Sequence, residues 1–221
     1  MRELYRSELQ EIVNELVVMS DSVQIAVRDA TKALLNADLQ IAERVISSDI
    51  RIDQVHDQVE QSAFLLMATQ SPVAGELRTL VASIQMVADL ARMGDLAAHV
   101  AKIARLRYPR HAVPEGLMGN FIKMSDITQE MVGISGRVLA ERNVAEAEKL
   151  ADQDEEIDHL RNEQFRSMLS DDWPYSVEEA VDVSLLGRYY ERIADHAVAM
   201  GRRIIYIVTG EAPEGENWPT T

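Results

Sequence analysis

The chain of 221 residues is long enough for one large domain or two small ones. Hydrophobic residues supply 47% of it and aromatics only 5%, a mixture suited to helices with Leu, Ile, Val, Met and Ala cores, while the absence of cysteine excludes disulfides and cysteine-ligated zinc. The balance of 22 Lys and Arg against 37 Asp and Glu leaves a formal charge of −15, which argues against binding a nucleic-acid backbone and suits either plain solubility or docking onto a basic partner surface.

The first segment opens with "MRELYRSELQEIV", charged and amphipathic with no apolar h-region, so no signal peptide is expected. Its Leu9, Ile12, Val13, Leu16, Val23, Val27, Ala30 and Leu34 recur at three- and four-residue steps and form a helical stripe. Breaks follow near 36–38, 70–76, 108–116, 141–143 and 171–176. Several carry helix-start chemistry: Ser71 precedes Pro72, and Asn143 with Glu146 and Ser176 with Glu179 have capping-box spacing. No run alternates with period two, so no strand is expected. The pattern predicts six helices, four of them about thirty residues or longer, and a loose polar tail, "EAPEGENWPTT". No apolar run reaches the roughly 18 residues of a membrane span, so a soluble cytoplasmic protein is expected.

The break at 108–116 nearly halves the chain, and the halves match each other. A shift of 105 residues aligns "MSDSVQ" at 19–24 with "MSDITQ" at 124–129, and "AERVISSDIRID" at 42–53 with "AEKLADQDEEID" at 147–158. Between 15 and 62 that shift gives 12 identities in 48 positions, against about 3 by chance at average residue usage. A shift of 100 then pairs "ARMGDLA" at 91–97 with "ERIADHA" at 191–197. The fold expected is all-α: two tandem three-helix bundles related by internal duplication, over 1–110 and 115–210, with 211–221 as a flexible acidic tail.

The duplication singles out acids. Asp49 and Asp53 match Asp154 and Asp158, and Asp95 matches Asp195. Glu191 and Asp195, four apart on one helix, lie away from the core stripe of Val183, Leu186, Tyr190, Ile193, Ala197, Met200 and Ile204. Acids from two neighbouring helices would thus gather on or near the surface of each bundle. Carboxylates at this spacing can converge on a hard or borderline cation, although a solvated acidic face gives the same pattern. The Glu-x-x-His at 156–159 has the spacing of di-iron bundles, but the matching stretch of the first half is "RIDQ", so the second copy that such a centre needs is missing. Each of the five histidines reads as a surface or helix-flank residue. No glycine-rich phosphate loop, nucleophile elbow or Ser/His/Asp set occurs, and an enzyme is not expected.

Two stretches carry a resemblance. "YYERIADHAVAMGRRIIYIVTGE" at 189–211 resembles the C-terminal signature of the PhoU family, regulators of bacterial phosphate uptake and signalling. "QSPVAGELRTLVASIQMVADLARMGD" resembles that family's Pro-x-x-x-x-Leu-Arg segment, and with "DIRID" and "DEEID" the likeness covers nearly the whole chain; "RMGDLAAHVAKI" looks most like actinobacterial members. The resemblance implies two three-helix bundles, each with an E(D)xxxD motif that in some members holds multinuclear iron or zinc. The second motif is intact as Glu191 and Asp195, completed by Asp154 and Asp158. The first keeps Asp95, with Asp49 and Asp53 beside it, but has Ala91 where the acid is expected, so metal is expected in the second bundle rather than the first. Arg92 and Arg192, inside the motifs, are expected to pair with acids. The implied function is negative regulation of phosphate uptake and of the starvation response. It would act through contact with the ATPase subunit of a phosphate ABC transporter and a sensor histidine kinase, as a homodimer. The alternative is a carboxylate-bridged metalloenzyme on a helical bundle.

Overall fold

A computed structural model describes residues 2–70, 72–73 and 75–211. Its helices follow the breaks in the apolar pattern: α1 (Arg2–Asn36), α2 (Leu39–Gln70), α3 (Gly75–Arg107), α4 (Met118–Glu141), α5 (Val144–Met168) and α6 (Val177–Thr209), with a 3-10 turn at Glu115–Leu117. Among the described residues there is no strand, and no helix is long and apolar enough to cross a membrane. The four longest helices have 35, 32, 33 and 33 residues, as the periodicity predicts.

Helix ends are set by side chains as much as by propensity. Asn143 accepts the Glu146 amide at 3.2 Å. Ser176 and Glu179 close a full capping box, the Ser176 amide donating to Glu179 Oε2 at 2.8 Å and the Glu179 amide to Ser176 Oγ at 3.2 Å. A cap that the pattern did not suggest begins α2, where Asp38 accepts the Ile41 amide at 3.0 Å. Gly210, with φ of 78°, ends α6 in the left-handed conformation that glycine adopts without a Cβ clash. The predicted cap Ser71 and the tail from 212 onward lie outside the described residues.

α2 packs on α1 and α3, and α5 packs on α4 and α6. The halves meet through α1 on α4 and α3 on α6, while α1 packs on α3 and α4 on α6 within each half, so four inner helices share one core and α2 and α5 flank it. The predicted stripes are buried: Leu16, Val23, Val27, Ala30 and Leu34 on α1, and Val183 through Ile204 on α6. The α1–α4 seam repeats itself with the halves exchanged. Ser20 donates to the Val132 carbonyl at 2.8 Å beside Gly136, and its counterpart Ser125 donates to Thr31, the counterpart of Gly136, at 2.9 Å. Thr31 Oγ1 also lies 2.7 Å from the buried Tyr190 hydroxyl, so this central phenol is satisfied.

Charges lock α3 to α6. Asp89 on α3 pairs with Arg203 at 2.5 Å and His196 at 2.9 Å, and the Arg203 Nε donates to Gln85 at 3.1 Å. At the other end, Arg107 engages Asp182 with two bonds of 2.5 and 3.0 Å and also pairs with Glu178. Asp89 and Asp182 are both buried, where removing one partner is far more costly than at the surface.

Close helix approach fixes the distance between the acids. A Cβ at Gly94 on α3 would fall 2.9 Å from Ile52 Cδ1 and 3.3 Å from Asp49 Oδ1, so the missing side chain lets α2 carry Asp49 up beside Asp95. On α6 a Cβ at Gly201 would fall 2.7 Å from Leu150 Cδ1 and 3.2 Å from the Ala147 carbonyl, which seats α5 equally closely.

Candidate functional site

In each half the flanking helix brings a pair of aspartates against the inner helix that carries the motif. In the first half, Asp49 and Asp53 on α2 face Asp95 on α3. Burial, then Asp95 and Asp53, push the Asp49 carboxyl above its ordinary range, against the pull of Lys102 and His99. Arg92 pairs with Asp95 at 2.9 Å, one turn away on the exposed face. His99 holds the Asp95 carbonyl through Nδ1 at 2.7 Å and stacks at an angle on Tyr189 of α6, ring centres 5.5 Å apart. Ala91 is half-buried and supplies no oxygen.

The second half gathers four carboxylates, Asp154 and Asp158 on α5 with Glu191 and Asp195 on α6. Burial, then Asp195, Asp158 and Glu191, raise the Asp154 carboxyl to about 6, with Arg202 pulling the other way. Glu191 lies deeper than its place away from the core stripe suggests: it is not at the surface but buried, with 8% of its area exposed. α5 covers it, and Arg161 from α5 reaches its Oε1 at 2.9 Å while Arg188 of α6 reaches Oε2 at 2.6 Å. The Arg161 guanidinium lies against the Phe165 ring, 4.9 Å from its centre, which fixes that arm of the clamp. The Glu191 bond and, more weakly, Asp195 and Asp158 hold the Arg188 proton more tightly than usual.

The motifs do not point to Arg161 and Arg188, yet the duplication holds a signal for them. Their counterparts in the first half are His56 and Ala88, and the counterpart of Glu191 is Ala91. The acid and both guanidiniums that neutralise it are therefore absent together. Arg192 makes no ion pair with a carboxylate among the described residues, unlike its counterpart Arg92. His196 is drawn partly inside by Asp89. Asp89 itself faces α6 and not the acidic face of Asp95.

The donor chemistry bears on a metal. Four acids face two clamping arginines, and burial together with the neighbouring acids raises the Asp154 carboxyl despite the pull of Arg202. Hard carboxylate oxygens in that state suit a divalent cation, so Asp154, Asp158 and Asp195 fit the group. Glu191 fits less well, because both of its oxygens face guanidiniums. As the side chains stand, no three acidic or histidine residues among those described converge tightly enough to hold an ion. Loading would require the aspartates to rotate inward.

The chain is similar to known proteins over nearly its full length. The PhoU domain matches residues 16–104 and 121–204, once in each half. The "Phosphate-specific transport system accessory protein PhoU homolog 2" of Mycobacterium tuberculosis is 44% identical over 96% of this chain and 100% of its own length. The corresponding homolog 1 of Mycobacterium leprae is 42% identical over 99% of each. Among solved structures, the phosphate transport system regulatory protein PhoU of Streptococcus pneumoniae superposes with a TM-score of 0.85 at 24% identity, covering 94% of this chain and 98% of its own. PhoU of Pseudomonas aeruginosa does so at 0.83 and 26%, covering 94% and 100%.

Proposed function

The chain belongs to the PhoU family, and from that premise we propose that it is a cytoplasmic accessory regulator of phosphate transport. It acts by protein contact, restraining the phosphate ABC transporter through its ATPase subunit and holding a sensor histidine kinase silent when phosphate is plentiful. The observation that carries the reading is the match of both halves to the PhoU domain, with the relatives covered end to end and named as transport accessory proteins. The helical scaffold, presenting acidic faces on its flanking helices, supports contact rather than turnover.

In this reading the two carboxylate sites are not equivalent. The second, with Asp154, Asp158 and Asp195, would hold iron or zinc, and the bound cation would supply fixed positive charge that draws α5 and α6 together. The arginine clamp on Glu191 stays as structural support. The first site, lacking the motif acid at Ala91, would meet its partners through carboxylates alone. Self-association as a homodimer is part of the same proposal.

The test is a phosphate-starvation reporter in the source organism with the gene deleted. Mycobacterium tuberculosis has two such homologues, so any sibling gene is deleted as well. In high phosphate the deletion should derepress the reporter several-fold, and the wild-type chain should restore silence. A reporter that stays silent in the deletion would remove the regulatory reading and leave the fold.

A further inference from the structure

The outer furrow between α1 and α2 is built unlike its counterpart in the second half. At one end a cavity of about 480 Å³ is floored by Ile12 and Leu66 and edged by Glu8, Glu11 and Glu15. Further along, a second cavity of about 370 Å³ is mostly apolar, with Val18 and Ile25 on the α1 side, Arg44 and Arg51 on the α2 side, and a single acid, Asp29, already held by Arg28 at 3.0 Å. Val18 is 63% exposed and Ile25 49%. The duplication supplies an internal control: at the same places α4 carries Lys123 and Glu130, both exposed. The fold therefore does not require apolar residues there, and the first half has placed them in water at some cost in solubility.

The charges along the furrow are polarised. Glu8, Glu11 and Glu15 form no ion pair among the described residues, and burial together with Glu11 pushes the Glu15 carboxyl above its usual range. A cation laid across them would relieve that. Arg44 and Arg51, seven apart on α2 and so on one face, are likewise without carboxylate partners among the described residues. Glu11 and Ile25 are fourteen residues apart on α1, about 21 Å at 1.5 Å per residue, within the reach of a single helix of about 20 residues.

We propose that the α1–α2 furrow is a docking groove for one amphipathic helix of a partner protein, its cationic end over Glu8, Glu11 and Glu15, its apolar stripe against Val18 and Ile25, and its anionic end at Arg44 and Arg51. This locates a contact surface for the regulator described above and rests on that reading. A second copy of the chain would bring two ridges against two ridges, whereas a single helix lies along the furrow and fills both cavities.

The probe is a fluorescein-labelled synthetic 22-residue peptide with leucines at three- and four-residue steps, lysines confined to one end and glutamates to the other. A control peptide of the same composition has its charges interspersed. Anisotropy titration of the full chain at moderate salt should give saturable micromolar binding for the polarised peptide and at least tenfold weaker binding for the control. Ile25→Glu, which copies Glu130 of the second half, should weaken the polarised peptide at least tenfold and leave the melting temperature nearly unchanged. Glu11→Lys with Glu15→Lys should lose it too, and should instead bind a peptide with glutamates at both ends. Absence of saturable binding, equal affinity for the two peptides, or indifference to Ile25→Glu overturns the proposal. So does sedimentation showing a dimer that Ile25→Glu dissociates while no peptide binds, which would give the face to a second copy. None of these outcomes touches the starvation reporter, so the groove can fail while the regulatory reading stands.

Discussion

Asp154→Asn should stabilise the protein at neutral pH. In the folded chain the Asp154 carboxyl is raised from 3.8 to about 6 by burial and by Asp195, Asp158 and Glu191. A folded value above the unfolded one means that the native state binds more protons between those two values, so stability falls as pH rises through roughly 4 to 6. At full weight the gap corresponds to about 3 kcal/mol. The group is only partly buried and its neighbours are solvated, and screening reduces this to on the order of 1 kcal/mol. For a chain of this size 1 kcal/mol moves the melting temperature by about 2–4 °C. The assay is thermal unfolding of wild type and Asp154→Asn in chelator, at pH 4 and at pH 7.5. The variant should melt a few degrees higher at pH 7.5, and the two should converge at pH 4. A difference that is absent at pH 7.5, or that grows toward acid, would refute the electrostatic argument. Adding zinc at pH 7.5 should narrow the gap by stabilising wild type selectively.

Three further outcomes follow from named contacts. Asp89→Ala strands Arg203 in a largely desolvated place between the halves and should cost about 3 kcal/mol in urea unfolding, whereas Asp89→Leu with Arg203→Met should recover most of it. Glu191→Ala should destabilise by about 2 kcal/mol because it leaves Arg161 and Arg188 without their shared carboxylate, while the more exposed Asp195→Asn should leave stability within about 0.5 kcal/mol; equal melting of the two variants would deny the clamp. Ser176→Ala should cost about 1 kcal/mol by opening the α6 capping box, read from the urea midpoint.

How much of this the sequence discloses depends on the range of the interaction. Stripes such as Leu16, Val23, Val27 and Leu34 are local patterns, and one helix period suffices to read them. The caps at Asn143 and Ser176 involve residues three apart, and they too are visible. Duplication made the tandem architecture legible because each half served as an alignment for the other. The acids could be found in the same way, but not their surroundings. Arg161 lies thirty positions from Glu191, and no spacing rule connects residues on different helices. Only the joint loss of Glu191, Arg161 and Arg188 from the first half hints at the clamp, and reading that hint requires knowing which side chains meet. Asp89 with Arg203 is longer-ranged still and crosses the halves, where the duplication offers no template: the counterparts of this pair are Tyr189 and Ile103. The depth of Glu191 has the same origin. Its position on α6 sets its angle, but the cover comes from α5.

The measurement that tests the central claim most directly is co-purification of the tagged chain from membranes of the source organism grown in high phosphate, with partners identified by mass spectrometry. The account predicts stoichiometric recovery of the phosphate-transport ATPase or the sensor kinase, retained with Ser176→Ala, which touches only a helix cap. Recovery of neither protein, from cells in which both are present and the tagged chain silences the starvation reporter, would contradict regulation by direct contact.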